Sequence, residues 1–253
     1  KSVPLRSMKE MEEDHTLDRL RLLVGAEGCD RLSRAHVLVL GLGGVGGFAT
    51  EMIARSGVGQ MTIVDADVVN QSNINRQIIA TQPVIGQSKA ALWHDRLLSI
   101  NPALRLEVIS EYLRDERMEE VLSAAPYDFV IDAIDTLAPK VFAIAYMQQH
   151  GIPFVSAMGA GAKTDPTKIR VARMDKSFND PLAKMIRKRL RHLGVRLNFP
   201  VVFSTELPVE EAIVLTEGEQ NKKSTPGTIS YMPPMVGGYC AYVALDHLLH
   251  PNP

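Results

Sequence analysis

An α/β fold built on a mainly parallel sheet is predicted by three features of the chain. Short, wholly apolar runs recur along it, segments of helical spacing alternate with them, and a glycine-rich turn joins the first run to the first helix. A run of four or five apolar residues without polar alternation is what a strand covered on both faces requires. Strands alternating with helices then call for right-handed crossovers between parallel neighbours.

The first run is His36-Val-Leu-Val-Leu40, followed by Gly41-Leu-Gly-Gly-Val-Gly46 and by helical spacing from Phe48 to Ser56. Gly57-Val-Gly59 ends that helix, and Met61 to Asp65 is the next strand. A helix is expected over Ser88 to Ile100, stopped by Asn101-Pro102, because proline cannot continue it. Arg105 to Ile109 reads as a strand, Asp115 to Ala124 as a helix, Phe129 to Asp132 as a strand, Ala138 to His150 as a helix and Pro153 to Ser156 as a strand. After Gly161 the alternation breaks. Lys168 to Met174 and Val201 to Ser204 read as strands, Pro181 to Leu193 as a basic helix, and Pro234 to His250 as a closing helix. Thr216 to Thr228 is polar, carries proline and glycine, and is expected as a loop.

Composition narrows the function classes. The 253 residues carry a formal net charge of -1, so no global field draws the molecule to nucleic acid or to membrane, and any basic site must be local. Lys1 to Thr16 has charges but no apolar run, so it does not read as a signal peptide, and Lys1 to Ser7 is set aside from the fold. Val236 to Leu249 is too short to span a bilayer and contains Asp246 and His247. The two cysteines, Cys29 and Cys240, cannot build a four-cysteine zinc site, and a cytoplasmic setting is expected. The seven histidines show no metal-ligand spacing, and Trp93 reads as core.

Gly41-x-Gly43-x-x-Gly46 between a strand and a helix is a phosphate-binding turn of Rossmann-like type. Glycines permit the tight turn, and the free N–H groups and dipole of the following helix favour an anion. Asp65, at the end of the second strand, stands where an acidic residue takes ribose hydroxyls. Alone this pattern fits an NAD-dependent oxidoreductase or a non-catalytic nucleotide binder. The next stretch, Asp65-Ala-Asp67-Val-Val-Asn70-Gln-Ser-Asn73-Ile-Asn75-Arg76-Gln77, shifts the reading toward ATP. Three phosphates need neutralising, and Arg76 brings a planar multi-donor group, with Lys89 as a further charge. Asp132 and Asp135 close the fourth strand at the carboxyl edge of the sheet, where a carboxylate beside a triphosphate is a natural Mg²⁺ ligand.

The ordered set from Gly41, Gly43, Gly44 and Gly46 through Asp65, Asp67, Asn73, Arg76, Gln77, Gly86 and Lys89 to Asp135 resembles the ThiF/MoeB/HesA E1-like adenylating family. The resemblance implies transfer of AMP from ATP to a carboxylate with release of pyrophosphate. It implies that Asp65 binds the ribose, that Asn73, Arg76 and Lys89 hold the phosphates, and that Asp135 holds Mg²⁺. It further implies a homodimer with composite ATP sites, in which Arg19 or Arg21 of the N-terminal segment reaches the partner's triphosphate. On this reading residues 8–253 are one domain: an arm (8–35), a nucleotide-binding core (36–160) and a substrate-binding and dimer half (161–253).

The later half is similar to the tRNA threonylcarbamoyladenosine dehydratases of that family, through Ala160-Gly161, Asp165-Pro166-x-x-Ile169, Asp180-Pro-Leu-Ala-Lys184, Arg187, Arg189-Leu190 and Phe203-Ser-Thr-Glu206. This implies a tRNA partner. Lys184 to Arg196 supports it independently, with six basic residues and no acid, and Lys184, Lys188 and Arg191 share a helix face with Arg187 beside it. The alternative is activation of a sulfur-carrier or ubiquitin-like protein C-terminus. Such activators often carry paired cysteines that bind zinc, and this chain has no such pairs, so no zinc is expected. Cys240, the one late cysteine, reads as core rather than as a conjugating thiol. Ser204, Thr205 and Glu206 receive no chemical role from the sequence.

Overall fold

The computed structural model describes residues 15–215 and 224–251. Residues 216–223 of the loop expected from Thr216 to Thr228, and the arm before residue 15, lie outside the described residues. In chain order the elements are α1 (Asp18–Arg34), β1 (His36–Leu40), α2 (Gly46–Arg55), β2 (Gln60–Val64), α3 (Lys89–Ile100), β3 (Arg105–Ile109), α4 (Asp115–Ser123) and β4 (Phe129–Asp132). They continue with α5 (Leu137–His150), β5 (Phe154–Ala157), β6 (Ile169–Arg173), α6 (Pro181–His192), β7 (Pro200–Ser204), β8 (Ile213–Leu215), β9 (Ser224–Pro226) and α7 (Met232–Leu249).

Seven strands form one sheet in the order β3-β2-β1-β4-β5-β7-β6, parallel throughout except where β6 runs against β7. The apolar run of β1 explains its central place. Val37 and Val39 join one core with Ile53, Trp93 and Val236, while Leu38 and Leu40 join the other with Met118, Ile144 and Ile186. Successive side chains of a strand point to opposite faces, so a strand with helices on both sides must be apolar at every position. Burying each such aliphatic side chain contributes about 1.5–3 kcal/mol, which secures β1 at the centre of the sheet.

Local signals set the helix ends. The Ser88 hydroxyl accepts the Ala91 N–H at 3.4 Å at the start of α3, and Asp180 accepts the Ala183 N–H at 2.8 Å at the start of α6, with Pro181 in the first turn. Part of the expected polar loop is a strand: Ser224–Pro226 pairs antiparallel with Ile213–Leu215. The N-terminal arm is a helix broken at Gly25, whose φ of 73° only glycine adopts at little cost. No helix among the described residues is long and apolar enough to cross a membrane.

The chain runs from β1 outward through β2 and β3, then crosses back to place β4 on the other side of β1. The connections after β1 and β4 therefore diverge, opening a crevice at the carboxyl edge where ligands of open α/β sheets bind.

Candidate nucleotide and substrate site

The glycine turn lies in that crevice. Gly46 begins α2 so close to the turn that an added Cβ would sit 1.8 Å from the Gly41 carbonyl oxygen. No side chain fits there, and the first N–H groups of a helix, which lack partners within it, are the usual seat of an anion. The buried Trp93 of α3 donates its indole N–H to the Leu42 carbonyl at 3.3 Å, bracing the turn from beneath.

Asp65 continues β2 into the same edge. Its carboxylate accepts the Leu42 N–H at 2.7 Å and the Asp67 N–H at 2.8 Å, tying the glycine turn to the segment after β2. Burial pushes the Asp65 carboxyl above the usual aspartate range, against the pull of Lys89 and of those two N–H groups. Lys89, the first residue of α3, is almost wholly buried and places its ammonium 2.8 Å from the exposed Asp67 carboxylate. Asn73 ends a single 3₁₀ turn and is buried, its amide oxygen accepting the Asn70 N–H at 3.1 Å. Arg76 folds back onto the Ser72 carbonyl at 2.6 Å and the Asn75 amide oxygen at 3.1 Å. Gln77 is buried beside Gly43, and its side-chain oxygen has no hydrogen-bond partner among the described residues.

The structure thus brings together Gly41, Gly43, Gly44 and Gly46 with Asp65, Arg76 and Gln77, and sets Asp67 and Lys89 directly behind Asp65. Gly44 packs on the Arg76 carbonyl, and Gly41 lies against Ala133 in the connection after β4 that also carries Asp135. Asp135 is exposed in that connection. Asp132 behaves differently from the expectation that it opens onto the ligand. It is fully buried, held by the Lys140 ammonium at 2.8 Å, the Ser156 hydroxyl at 2.7 Å and the Ile134 N–H at 3.1 Å. Among the described residues no three His, Cys, Asp or Glu side chains converge on one point. The exposed Asp135 carboxylate is a hard oxygen donor of the kind that Mg²⁺ takes in company with phosphates.

Arg19 and Arg21 are not part of this cluster. Leu17, just before them, packs against Gly57 at the far end of α2, about 15 Å along the helix from the glycine turn. Cys240 is buried near Lys140 and Asp132, and burial pushes its thiol up to about 12, so it is no nucleophile at neutral pH.

The later half supplies a second surface, on a helix that starts at the same edge and runs back toward the beginning of β7. Ala183, Ile186 and Leu190 of α6 face the core, leaving Lys184, Lys188, Arg189 and Arg191 exposed. Arg187 departs from the expected basic face. It lies one helical turn from both Ala183 and Leu190, so it is carried inward, where it donates to the Ser177 hydroxyl and burial lowers its pKa. Sequence reading also missed two braces. The Lys163 ammonium is buried against the Asp180 carboxylate at 2.8 Å, and the Glu206 carboxylate accepts the backbone N–H groups of Thr164 and Asp165 at 3.0 and 2.8 Å. The only hint of them was a run of polar residues, Ser204-Thr-Glu206, directly after an apolar strand.

Comparison with known proteins matches the ThiF family profile to residues 17–253. The chain is 36% identical over 242 residues to the tRNA threonylcarbamoyladenosine dehydratase of Bacillus subtilis, covering 92% of this chain and 95% of that protein. It is 39% identical over 191 residues to the enzyme of the same name from Escherichia coli, covering 73% and 71%. The crystal structure of the E. coli tRNA N6-threonylcarbamoyladenosine dehydratase in complex with ATP superposes with a TM-score of 0.84 at 32% identity, covering 93% of this chain and 94% of that one. The chain belongs to the ThiF family.

Proposed function

We propose that this ThiF-family chain uses ATP to adenylate the threonyl carboxylate of N6-threonylcarbamoyladenosine in tRNA, and so drives closure of that side chain into a ring. The observation that carries the reading is that the nucleotide-binding turn and the first turn of an acid-free basic helix are anchored at the same edge of the sheet. The likeness to the dehydratases runs through both halves of the chain and supports the same substrate.

A carboxylate is a poor electrophile because its leaving group is oxide. In the first step a carboxylate oxygen attacks the α-phosphorus of ATP, and the bond to the bridging oxygen breaks to release pyrophosphate. In the second, the carbamoyl group attacks the activated carbonyl and AMP departs with the original carboxylate oxygen, so that one water is lost overall. Charge builds on the departing phosphates, and the protein's task is to hold and neutralise it.

The turn from Gly41 to Gly46 receives the phosphates on backbone N–H groups, and Asp65 accepts the ribose hydroxyls. Arg76 and Lys89 stabilise the triphosphate, with Asn73 and Gln77 beside them. The Lys89 ammonium lies 2.8 Å from the Asp67 carboxylate, which holds it in place at the start of α3. Asp135 would hold Mg²⁺, which supplies further neutralisation of the β and γ phosphates when bound.

The active form is a homodimer in which Arg21 or Arg19 enters the partner's site. Leu22 and Leu23, beside Arg21, are 88% and 83% exposed, and Met235, Tyr239 and Tyr242 of α7 are also exposed, which supports an apolar contact between copies. Lys184, Lys188 and Arg191 meet tRNA phosphates. Cys29 and Cys240 are unpaired thiols, in keeping with a cytoplasmic setting. Incubation with ATP, Mg²⁺ and tRNA, followed by nucleoside mass spectrometry, should convert threonylcarbamoyladenosine into a species lighter by one water only when ATP is present. Pyrophosphate release with that nucleoside unchanged would remove the tRNA substrate and leave a protein C-terminus as the acceptor to test.

A further inference from the structure

We infer that Lys163 is a positioning residue: its buried pairing with Asp180 fixes the basic helix α6 to the strand ends that border the nucleotide crevice. The inference rests on the tRNA reading given above and deepens it.

Both charged side chains are essentially inaccessible, at 1% and 0% exposure. One Asp180 oxygen takes the Lys163 ammonium at 2.8 Å, and the other caps α6 by accepting the Ala183 N–H at 2.8 Å. The same ammonium donates to the Gly159 carbonyl after β5 at 3.2 Å and to the Ser204 carbonyl at the end of β7 at 3.4 Å. One nitrogen therefore joins two adjacent strand ends to the first turn of α6. A second tie runs alongside, from the Asn179 amide to the Thr205 carbonyl at 2.9 Å.

A buried ion pair is a poor source of stability, because desolvating both charges cancels much of their attraction. What it supplies is geometry, since an unpaired charge in any other arrangement is costly. Here the arrangement it enforces is the direction and depth of a helix whose outer face carries Lys184, Lys188, Arg189 and Arg191. β5 lies between β7 and β4, and the end of β4 bears the Asp135 connection. A nucleic acid held on α6 is thereby held at a set distance from the adenylation centre. A displacement near 1 Å in the placement of a reacting group costs on the order of a hundredfold in rate.

The test uses the full-length protein with Lys163→Met and with Lys163→Met/Asp180→Asn; the second removes both charges and keeps a capping side chain. Spin labels at Lys188→Cys on α6 and Ser99→Cys on α3, in a Cys29→Ser background, report the helix position directly. The pair reading predicts a single narrow distance in the parent protein and a broadened or shifted one in the double variant. In unlabelled protein, kcat for tRNA conversion should fall by roughly tenfold to a hundredfold. The Kd for ATP and the salt dependence of tRNA binding should stay at parental values, and Lys163→Arg should recover most of the rate. An unchanged distance distribution, or a parallel loss of ATP binding, tRNA binding and turnover, would overturn the inference. If the parent protein does not convert tRNA at all, the substrate reading fails, and the distance measurement still decides whether Lys163 positions α6.

Discussion

Replacing Asp65 with asparagine tests the nucleotide site where its structure is most explicit. The carboxylate accepts two backbone N–H groups at 2.7 and 2.8 Å, from Leu42 and Asp67. Asparagine has one oxygen, so one of these N–H groups must face an NH₂ donor and loses its acceptor. A hydrogen bond to a charged group contributes about 1.5–3 kcal/mol, which sets the upper range of the stability loss. Burial already disfavours the ionised form of Asp65, so a neutral side chain regains part of that penalty, and the net loss should fall near the lower end. About 1.5 kcal/mol in a domain of this size lowers Tm by roughly 3–6 °C. The effect on ATP is separate, because the ribose hydroxyls lose a charged acceptor worth another 1.5–3 kcal/mol or so, a roughly tenfold to hundredfold rise in Kd. pH gives an independent check. The folded carboxyl sits above its ordinary value of 3.8, so ATP affinity should decline on acidification at a higher pH than an unperturbed aspartate would give. The Asp65→Asn variant should lack that decline. The sign for stability is opposite to that of a salt-bridged carboxylate: the raised pKa favours the folded state at low pH, and this contribution fades as pH rises through the folded pKa. Calorimetric titration with ATP from pH 4 to 8, with melting curves of the nucleotide-free protein, measures all three effects. A variant with lowered Tm but an ATP Kd within twofold of the parent would show that Asp65 only braces the turn.

Asp135→Ala should leave Tm within about 2 °C, as expected of an exposed position, while pyrophosphate release falls at least a hundredfold or so; near-parental release removes Asp135 from the mechanism. Reversing Lys188 and Arg191 to Glu should weaken tRNA binding and flatten its dependence on salt, while calorimetry finds ATP binding unchanged. Arg187→Met, by contrast, should act on Tm more than on the salt slope, because that side chain points inward. Lys140→Met leaves Asp132 as an uncompensated buried charge and should destabilise by about 3–5 kcal/mol, whereas Lys140→Met/Asp132→Asn should recover most of that loss in denaturant titrations.

The fold was legible because its strands carry the signature of double burial. His36–Leu40 and Phe129–Asp132 read as strands with the observed ends, and Arg105–Ile109 did so even at the sheet margin. The nucleotide turn was legible because glycine spacing encodes backbone geometry directly. Three things were hidden for physical reasons. The paired strands β8 and β9 are three residues each, too short for any alternation to emerge, and β9 lies within a polar stretch. Arg187 was assigned to the basic face because sequence spacing gives a helix's angular order but not the depth at which it is set. The pairs Lys140–Asp132 and Lys163–Asp180 were invisible because a lysine in a helix or loop reads as solvated, and its partner is found only through tertiary contact.

The central claim, that the threonyl carboxylate is activated as an adenylate, has a direct isotopic test. tRNA whose threonylcarbamoyladenosine carries ¹⁸O in both carboxylate oxygens would be converted with unlabelled ATP, and the products resolved by mass spectrometry. The account predicts one ¹⁸O in AMP, one retained in the cyclised nucleoside and none in pyrophosphate. Label in inorganic phosphate accompanied by ADP, or AMP free of label, would contradict it.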